Sequence, residues 1–344
     1  MKKAVLLVNL GSPDSCSVKD VKPYLDEFLM DKYVIDVPYL LRWVIVKCFI
    51  LPFRPKRSAE AYQTIWWKEG SPLIVLSYRL LEALKKVLDM PVALGMRYGN
   101  PSILSGIQEL VDSNPDLEEV LLFPLYPHYA MASTKTVIEK TKQVVKTHFS
   151  HLRLSYIESF YTYEPYIKSL SQTLQDALSK TEIDHVLFSF HGVPERHVIK
   201  TDPTSSHCLQ SKDCCERACS ANALCYSHHV KQTAYAVAKD CQFENSFYSI
   251  SFQSRLGKDP WLQPFTDKTI GELAKKGVKN LAVICPAFVS DCLETLEEMG
   301  EEGKEIFLEN GGKSFTLIPC LNDNPLWVEC MRQIISDEAM HKKG

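Results

Sequence analysis

A histidine at the end of an apolar run is the first residue in this sequence whose position suggests chemistry. Residues 186–190 form a short apolar run, typical of a strand buried on both faces, and His191 and Gly192 follow it directly. Gly192 permits a sharp exit and Pro194 prevents further sheet pairing, so we expect His191 at the carboxyl end of a strand, where α/β sheets bind ligands. There a histidine either takes a proton or holds a metal ion, or it is a buried side chain bonded to a loop carbonyl.

A second candidate is an acidic stretch, residues 290–298, which follows another predicted strand and opens a helix. Four glutamates fall on one stripe of this helix: Glu294, Glu298, Glu301 and Glu305. Like charges four residues apart repel by about 0.2–0.5 kcal/mol per pair, so the stripe is either well solvated or suited to cations. Asp291 and Glu294 also match a capping box, which would give Glu294 a structural role. After Glu298 we expect a solvated face.

A third polar stretch, residues 251–262, runs from a predicted strand into a loop. It carries Gln253, Ser254, Arg255 and Trp261. At the rim of a cleft, these side chains could hold a flat ligand with acidic arms, although the pattern alone is not specific.

Strands and helices alternate along the whole chain, which is the pattern of parallel sheets covered by helices. The predicted strands are 3–9, 92–96, 120–125, 152–157, 186–191, 246–252, 281–285 and 315–319. At ~150 residues per domain, a chain of 344 residues predicts two domains. The simplest architecture is therefore two similar α/β units that face each other across a cleft.

The net charge argues against a nucleic-acid-binding protein, and the first residues argue against a protein with a signal peptide. A net charge of −3 without a basic run argues against a nucleic-acid-binding protein. Lys2 and Lys3 precede an apolar stretch at 4–8 that is too short for a signal peptide. We therefore expect a cytoplasmic protein.

Residues 34–53, which we call the lip, are unusually apolar. Arg42 and Lys47 interrupt the run, so it falls short of the ~20 apolar residues that span a membrane. Its aromatic and basic residues suit an interfacial segment that touches a membrane or an apolar substrate. The alternative is a core helix with two snorkelling cations.

Five of the twelve cysteines lie within 18 residues: Cys208, Cys214, Cys215, Cys219 and Cys225. In a cytosolic chain this density favours metal binding over disulfides. The spacing lacks the CxxC pairs that are common at zinc sites, and His207, His228 and His229 are close enough in sequence to compete as ligands. The alternative is a reduced loop without metal.

Taken together, these stretches resemble the ferrochelatase family, whose members insert ferrous iron into a porphyrin. The matching segments are 6–13, 95–98, 124–129, 189–194, 252–257 with 260–262, 286–291 with 293–296, and 321–325. No single segment is decisive, but they occur in order over nearly the whole chain.

The resemblance implies two Rossmann-like, chelatase-type domains, each with a parallel four-stranded sheet flanked by helices, around a porphyrin cleft. The expected domains are 1–163 plus 322–344, carrying the lip, and 164–321, carrying a cysteine insert at 205–228. The lip would then be interfacial, with a peripheral contact at the inner membrane face.

The resemblance also assigns residues. His191 and Glu294 would face each other as a catalytic pair that handles Fe2+ and protons. Asp291 and Glu298 would continue an acidic path, on a helix that contains a π-type turn in the family. The remaining positions would line the porphyrin pocket: Leu10, Tyr98, Gln253, Ser254 and Trp261. Some bacterial members carry a [2Fe–2S] cluster in an internal segment, which takes four thiolates. Here these would be Cys208, Cys214, Cys215 and Cys225, with Cys219 as the spare.

Two positions depart from the family. Cys292 stands where the family often has a second histidine, which puts a histidine relay on that helix in doubt. Leu10 stands where some members that use coproporphyrin have tyrosine, which favours protoporphyrin IX as the substrate. The expected function is therefore protoporphyrin ferrochelatase, the terminal step of haem synthesis. The alternatives are a chelatase for coproporphyrin III or another tetrapyrrole, and a non-catalytic haem- or iron-binding redox sensor.

Overall fold

The structure is a computed structural model that describes residues 2–257 and 259–344. Its strands are β1 Lys3–Asn9, β2 Val92–Met96, β3 Glu119–Pro124, β4 Arg153–Ile157, β5 His185–His191, β6 Tyr248–Gln253, β7 Asn280–Ile284, β8 Ser314–Leu317 and β9 His341–Lys343. Its α-helices are α1 Val18–Leu29, α2 Tyr39–Val44, α3 Arg54–Ile65, α4 Pro72–Lys85, α5 Ile103–Ser113, α6 Thr136–His148, α7 Glu164–Leu178, α8 Glu195–Lys200, α9 Tyr226–Asp240, α10 Thr266–Lys275, α11 Leu293–Leu296, α12 Lys304–Glu309 and α13 Pro325–Ser336. Segments of π-helix cover Ile45–Ile50, Met131–Lys135 and Glu298–Gly303.

The chain divides into two compact units. The first contains Met1–Tyr126, Met131–Glu158 and Asn322–Gly344, and the second contains Pro127–Ala130 and Ser159–Leu321. The predicted boundary after residue 163 therefore falls inside the second unit.

The first unit is built on a sheet with the order β2-β1-β3-β4-β9. The first four of these strands are parallel, whereas β9 pairs antiparallel with β4. The expected sheet of four parallel strands is thus extended by one. The closing helix α13 stops at Ser336, which leaves residues 341–343 free to cover the edge of β4.

The centre of this first sheet is apolar on both faces. Ala4–Val8 of β1 has no solvent exposure, because helices cover the sheet on both sides and every side chain of the strand is enclosed. Helix α1 is capped by Ser17, whose side chain accepts a hydrogen bond from the Asp20 N–H.

A buried carboxylate organises the region after α1. Asp31 accepts hydrogen bonds from the Arg97 guanidinium and from the Thr136 hydroxyl. It also accepts from the Tyr98 hydroxyl at 2.8 Å and from the Tyr33 N–H at 2.8 Å. Because the Asp31 side chain is only 3% exposed, this charge depends on its partners in the fold.

In the lip, the large apolar side chains face solvent and the cations face the protein, which is the reverse of a core helix with snorkelling cations. That alternative is therefore wrong. Most of its large apolar side chains face outward, with Leu40 78%, Phe49 68% and Phe53 76% exposed, whereas Val46 and Leu51 are buried. Arg42 instead lies buried and donates to backbone carbonyls of the preceding turn, and Lys47 pairs with a carboxylate on α1. The two cations thus form hydrogen bonds and an ion pair within the protein, whereas most of the large apolar side chains lie on the surface.

The second unit is built on a fully parallel sheet with the order β6-β5-β7-β8. Its central strand β5 is the predicted histidine strand, and residues 185–190 of it are buried. Helices α10 and α12 close one face of the sheet over a core that includes Leu187, Val283 and Phe307. This packing fixes where the carboxyl ends of β5, β6 and β7 lie.

Candidate active site

His191 lies at the carboxyl end of β5, as predicted. The last pair of the ladder joins His191 to Gln253 of β6, and the Gly192 N–H then donates to the Gln253 carbonyl at 2.7 Å. A Cβ atom on Gly192 would lie 2.8 Å from that carbonyl oxygen and 3.3 Å from the Trp261 ring, so only glycine fits. The chain therefore turns sharply beneath Trp261, which forms a bridge with Pro194.

The His191 ring is half-buried and held in one orientation. Its Nδ1 lies 2.6 Å from the Gly192 carbonyl oxygen. Because a carbonyl only accepts hydrogen bonds, Nδ1 must carry the proton, and in the neutral ring Nε2 keeps its lone pair. His191 can therefore take a proton or bind a metal ion through Nε2.

The acidic helix does not continue from residue 291 to 308 as one α-helix. It consists of α11, the π-helical segment Glu298–Gly303 and α12, which confirms the π-type turn that the family resemblance implies. Its N-terminal capping box joins Cys292 to Thr295, so the predicted capping box of Asp291 with Glu294 is wrong. Asp291 is buried and accepts from the Thr295 hydroxyl at 3.0 Å and the Cys320 N–H at 3.3 Å.

Glu298, the first residue of the π-helical segment, is clamped by the strand end of β6. The Ser254 N–H donates to its Oε1 at 2.8 Å, and the Ser254 hydroxyl donates to Oε2. Ser254 adopts a φ of 64° to present both donors, a conformation that is strained for a residue other than glycine. The Gln253 amide adds a longer contact of 3.5 Å to Oε2.

Burial raises the pKa of Glu298, and the negative charge of Glu294 adds to this rise. The hydrogen bonds from Ser254, and the positive charge of His191 when that ring is protonated, oppose it. Glu298 is thus close enough to interact electrostatically with both His191 and Glu294. Glu294 is half-buried, and its carbonyl accepts from the Gln253 amide at 2.8 Å. Burial raises the pKa of the Cys292 thiol, and the negative charge of Glu294 and the hydrogen bond that the thiol donates to its carboxylate add to this rise. A base with a free lone pair and two carboxylates therefore share one end of the sheet.

The raised pKa of Glu298 predicts a pH-dependent stability. Its carboxyl group is protonated in both the folded and the unfolded protein at low pH, and ionisation above the unfolded pKa then destabilises the folded state. Glu298→Gln removes this effect. We expect the free energy of unfolding of the variant, relative to the parent, to be higher at about pH 7 than at about pH 4, measured by urea denaturation.

The matched control for this prediction is Glu301→Gln, because Glu301 is exposed. Its unfolding free energy relative to the parent should be the same at both pH values. A Glu298→Gln difference that is constant or falls with rising pH would contradict the prediction.

Other residues of the predicted stretches are exposed, half-buried or paired with other side chains. Glu301 and Glu305 are exposed, as expected of a solvated face. Arg255 forms a bidentate pair with Asp267 at 2.7 and 2.8 Å, so its guanidinium serves the fold instead of a ligand. In the first unit, Leu10 is half-buried at the end of β1.

Tyr98 has no exposed surface, and its hydroxyl donates a hydrogen bond to the Asp31 carboxylate. The prediction that Tyr98 lines a porphyrin pocket is therefore corrected: in this structure it supports the buried carboxylate. Gln253 is similarly 3% exposed and holds the acidic helix through Glu294, so it positions the site more than it lines it.

Four cysteines of the insert come together in the second unit, and we call them the cysteine pocket. They are buried, at 2–4% exposure: Cys208, Cys214, Cys215 and Cys225. The Cys214 and Cys215 sulfurs are 3.9 Å apart. A hydrogen bond to Cys225 raises the pKa of Cys215, and burial raises that of Cys208 to about 11 although its bond to Cys225 opposes this. Cys219 lies outside this group and is half-buried.

The neighbouring histidines are occupied by the backbone. His207 Nε2 bonds to the Cys214 carbonyl and His228 Nδ1 to the Cys215 carbonyl, each at 2.7 Å. His229 accepts from a backbone N–H through Nδ1 and donates to two carbonyls through Nε2. These contacts leave thiols as the main donor set of the insert. Among residues 2–257 and 259–344, no group of three or more histidine, cysteine or acidic side chains is arranged to hold a metal ion.

Tyr226 is a site residue that the sequence did not reveal. Its hydroxyl donates to the His191 carbonyl at 2.7 Å from the first turn of α9. The two residues are 35 positions apart, and nothing in the local pattern around Tyr226 predicts the contact.

Comparison with known sequences gives a consistent result. The sequence model of the ferrochelatase family matches residues 2–339. A protein named ferrochelatase from Stutzerimonas stutzeri (strain A1501) is 47% identical over 337 residues, covering 97% of this chain and 98% of that protein. Another ferrochelatase, from Pseudomonas fluorescens (strain Pf0-1), is also 47% identical and covers 95% of this chain and 96% of that protein.

The similarity of this chain to solved structures concerns only its fold. The sirohydrochlorin chelatase SirB from Bacillus subtilis subspecies spizizenii, in complex with cobalt, gives a TM-score of 0.55 at 12% identity, over 97% of this chain and 93% of that one. SirB from Bacillus subtilis with Fe3+ gives 0.54 at 13% identity, over 98% and 97%. The parallel sheets flanked by helices are thus of the chelatase type.

Proposed function

This chain belongs to the ferrochelatase family, and from that premise we propose that it inserts Fe2+ into protoporphyrin IX to form protohaem. Members of the family insert a metal ion into a porphyrin, an activity that is classed as that of a lyase. The observation that carries the proposal for this chain is the free Nε2 of His191 beside two carboxylates, one of them clamped by Ser254.

The residues fit the chemistry of metalation. A free porphyrin must lose two N–H protons, and a hydrated cation must lose its water. A neutral histidine can accept a proton through Nε2, while carboxylates attract the cation and carry protons away. In our proposal His191 and Glu294 act directly on iron and protons, and Glu298 continues the acidic path.

An anaerobic assay tests the proposal. Purified protein is mixed with Fe2+ and protoporphyrin IX, and metalation is followed by absorbance and by loss of porphyrin fluorescence. Catalytic turnover supports the proposal. Turnover with coproporphyrin III alone would move the substrate assignment, and tight porphyrin binding without metalation would favour the haem- or iron-binding sensor.

We further propose that the cysteine pocket binds a [2Fe–2S] cluster. Its donor set fits: four thiols from 208 to 225 are buried together, whereas the nearby histidines are bonded to the backbone. Such a cluster takes four thiolate ligands and supplies one-electron chemistry. The residues of the pocket are not arranged around a metal in this structure, so the proposal rests on the donor set and its burial.

The cluster has a direct test. Anaerobically purified protein should contain about two iron and two acid-labile sulfide atoms per chain, with visible charge-transfer absorption. Cys215→Ser should lose both, and the matched variant Cys219→Ser should keep both. Zinc in place of iron and sulfide, or no metal at all, would contradict the proposal.

We also propose that the lip makes a peripheral contact with the inner membrane surface. Within residues 2–257 and 259–344, no helix combines the length and hydropathy needed to cross a bilayer. The support for contact is the set of outward apolar side chains, among them Leu40, Phe49 and Phe53.

Replacing Leu40, Phe49 and Phe53 together by serine should lower co-sedimentation with phospholipid vesicles at least about ten-fold, because burying each apolar side chain contributes about 1.5–3 kcal/mol. A matched control replaces two exposed leucines outside the lip, Leu104 and Leu326, by serine. Equal loss in both proteins, or binding that is unchanged, would contradict a specific contact by the lip.

A further inference from the structure

Four consecutive residues at the start of α9 divide their contacts between the cysteine pocket and the catalytic histidine. Cys225 is the N-cap of α9, and its thiol forms hydrogen bonds with the thiols of Cys208 and Cys215. Tyr226 follows it directly and holds His191. The next two residues return to Cys215, through the Ser227 hydroxyl at 3.3 Å from its sulfur and through His228 Nδ1 at 2.7 Å from its carbonyl.

The contact that Tyr226 makes replaces strand pairing. The ladder between β5 and β7 ends at Phe188, three residues before His191. The His191 carbonyl accepts instead from the Tyr226 hydroxyl at 2.7 Å. Tyr226 is 6% exposed, and burial raises the pKa of its hydroxyl, which therefore stays protonated as a donor.

The same peptide segment fixes the imidazole. The His191 ring is held by the carbonyl of the next residue, Gly192, at 2.6 Å from Nδ1. A rotation of the backbone at His191 would therefore move the ring and the direction of the Nε2 lone pair. The Tyr226 hydroxyl and the Gln253 carbonyl, which accepts from the Gly192 N–H at 2.7 Å, hold the two ends of this segment.

We propose that Tyr226 is a positioning residue that passes the state of the cysteine pocket to His191. When the pocket is intact, Cys225, Ser227 and His228 anchor the first turn of α9, and the Tyr226 hydroxyl sets the His191 backbone. When the pocket is disrupted, that turn loses its anchors and the hydroxyl leaves the carbonyl. This inference rests on the proposed function for its consequence in catalysis, but the positioning itself is a property of the protein without substrate.

Tyr226→Phe tests the first half, since it removes only the hydroxyl. We expect kcat to fall about three- to ten-fold, with KM for porphyrin unchanged and the pH profile of kcat/KM shifted. The matched control is Tyr248→Phe, which alters a half-buried tyrosine on the neighbouring strand β6. A Tyr226→Phe protein with the parent's kcat and pH profile would overturn the positioning role, and a fall equal to that of Tyr248→Phe would do the same.

The transmission from the cysteine pocket to His191 can be tested without porphyrin or iron substrate. The measurement is the NMR signals of the histidine rings in protein that carries isotope-labelled histidine. The His191 signal, assigned with His191→Ala, should move in Tyr226→Phe. Cys215→Ser should move it in the parent but cause no further change in the Tyr226→Phe background, because the path is already cut. The proposed transmission would be overturned if Cys215→Ser left the His191 signal unchanged, or if it moved the signal equally in the parent and in the Tyr226→Phe background.

These outcomes separate the inference from the proposed function. If the His191 signal responds as expected while the parent metalates no porphyrin, the proposed function fails and the positioning by Tyr226 stands. If the parent is active and the signal does not respond, the inference fails alone. Circular dichroism of each variant identifies any that do not fold, and the milder Ser227→Ala, which removes one anchor, then replaces Cys215→Ser.

Discussion

Replacing His191 by alanine should reduce kcat for iron insertion by roughly 10²- to 10⁴-fold, the usual contribution of a positioned acid or base. The reason is that Nδ1 is tied to the Gly192 carbonyl, so Nε2 is the atom of this side chain that is free to take a porphyrin proton or bind iron. The measurement is the initial rate of metalation under anaerobic conditions, together with porphyrin binding by fluorescence quenching. Binding should be retained.

The matched control for this change is another histidine of the same strand. His185 lies at the opposite end of β5, where its Nε2 bonds to the Ser249 hydroxyl at 2.9 Å. His185→Gln keeps a polar group near that hydroxyl and should leave the rate of metalation unchanged. If His191→Ala metalated porphyrin as fast as His185→Gln, the assignment of His191 would be wrong.

Replacing Asp31 by alanine should cost about 3–5 kcal/mol of folding free energy, the range for removing one partner of a buried ion pair. The loss has two parts. The Arg97 guanidinium, 11% exposed, would keep its charge without its nearest carboxylate, and the buried hydroxyls of Tyr98 and Thr136 would lose their acceptor. Glu27, at 4.0 Å from Arg97, is half-exposed and offsets little of this. Urea denaturation measures the effect.

Asp116→Ala is the matched control, because Asp116 pairs with Lys2 while both side chains are exposed. Exposed pairs contribute little to stability, so the denaturation midpoint should stay where it is in the parent. Equal destabilisation by the two variants would show that burial of the carboxylate does not matter.

The sequence was sufficient for the eight parallel strands and for the position of His191, because both depend on local patterns, whereas the antiparallel β9 was not predicted. Lys3–Asn9 contains the apolar run 4–8 and Val92–Met96 is apolar throughout, and the structure gives both strands the predicted bounds. His191 could be placed since Gly192 and Pro194 stop the strand wherever the sheet happens to lie.

The errors have causes that composition and spacing do not show. Asp291 ranks above cysteine as an N-cap residue, yet it accepts from the distant Cys320 N–H, and Cys292 takes the capping position. The direction of Arg42 depends on carbonyls of the preceding turn, whose geometry the composition of the lip does not specify. The clamp of Ser254 on Glu298 joins residues 44 positions apart, and no period or spacing indicates it.

The π-helical segment has an evolutionary consequence. A π turn is one residue wider than an α turn, so the segment Glu298–Gly303 is equivalent to a single-residue insertion in an ordinary helix. Because the wide turn absorbs the extra residue, deleting one codon there would restore α-helical geometry and leave the two flanks in nearly the same relative orientation. The same deletion at the start of α12 would have no wide turn to absorb it and would rotate Phe307 by about 100° away from the core, so a change in length is better tolerated inside the π-helical segment than in the helix that follows it.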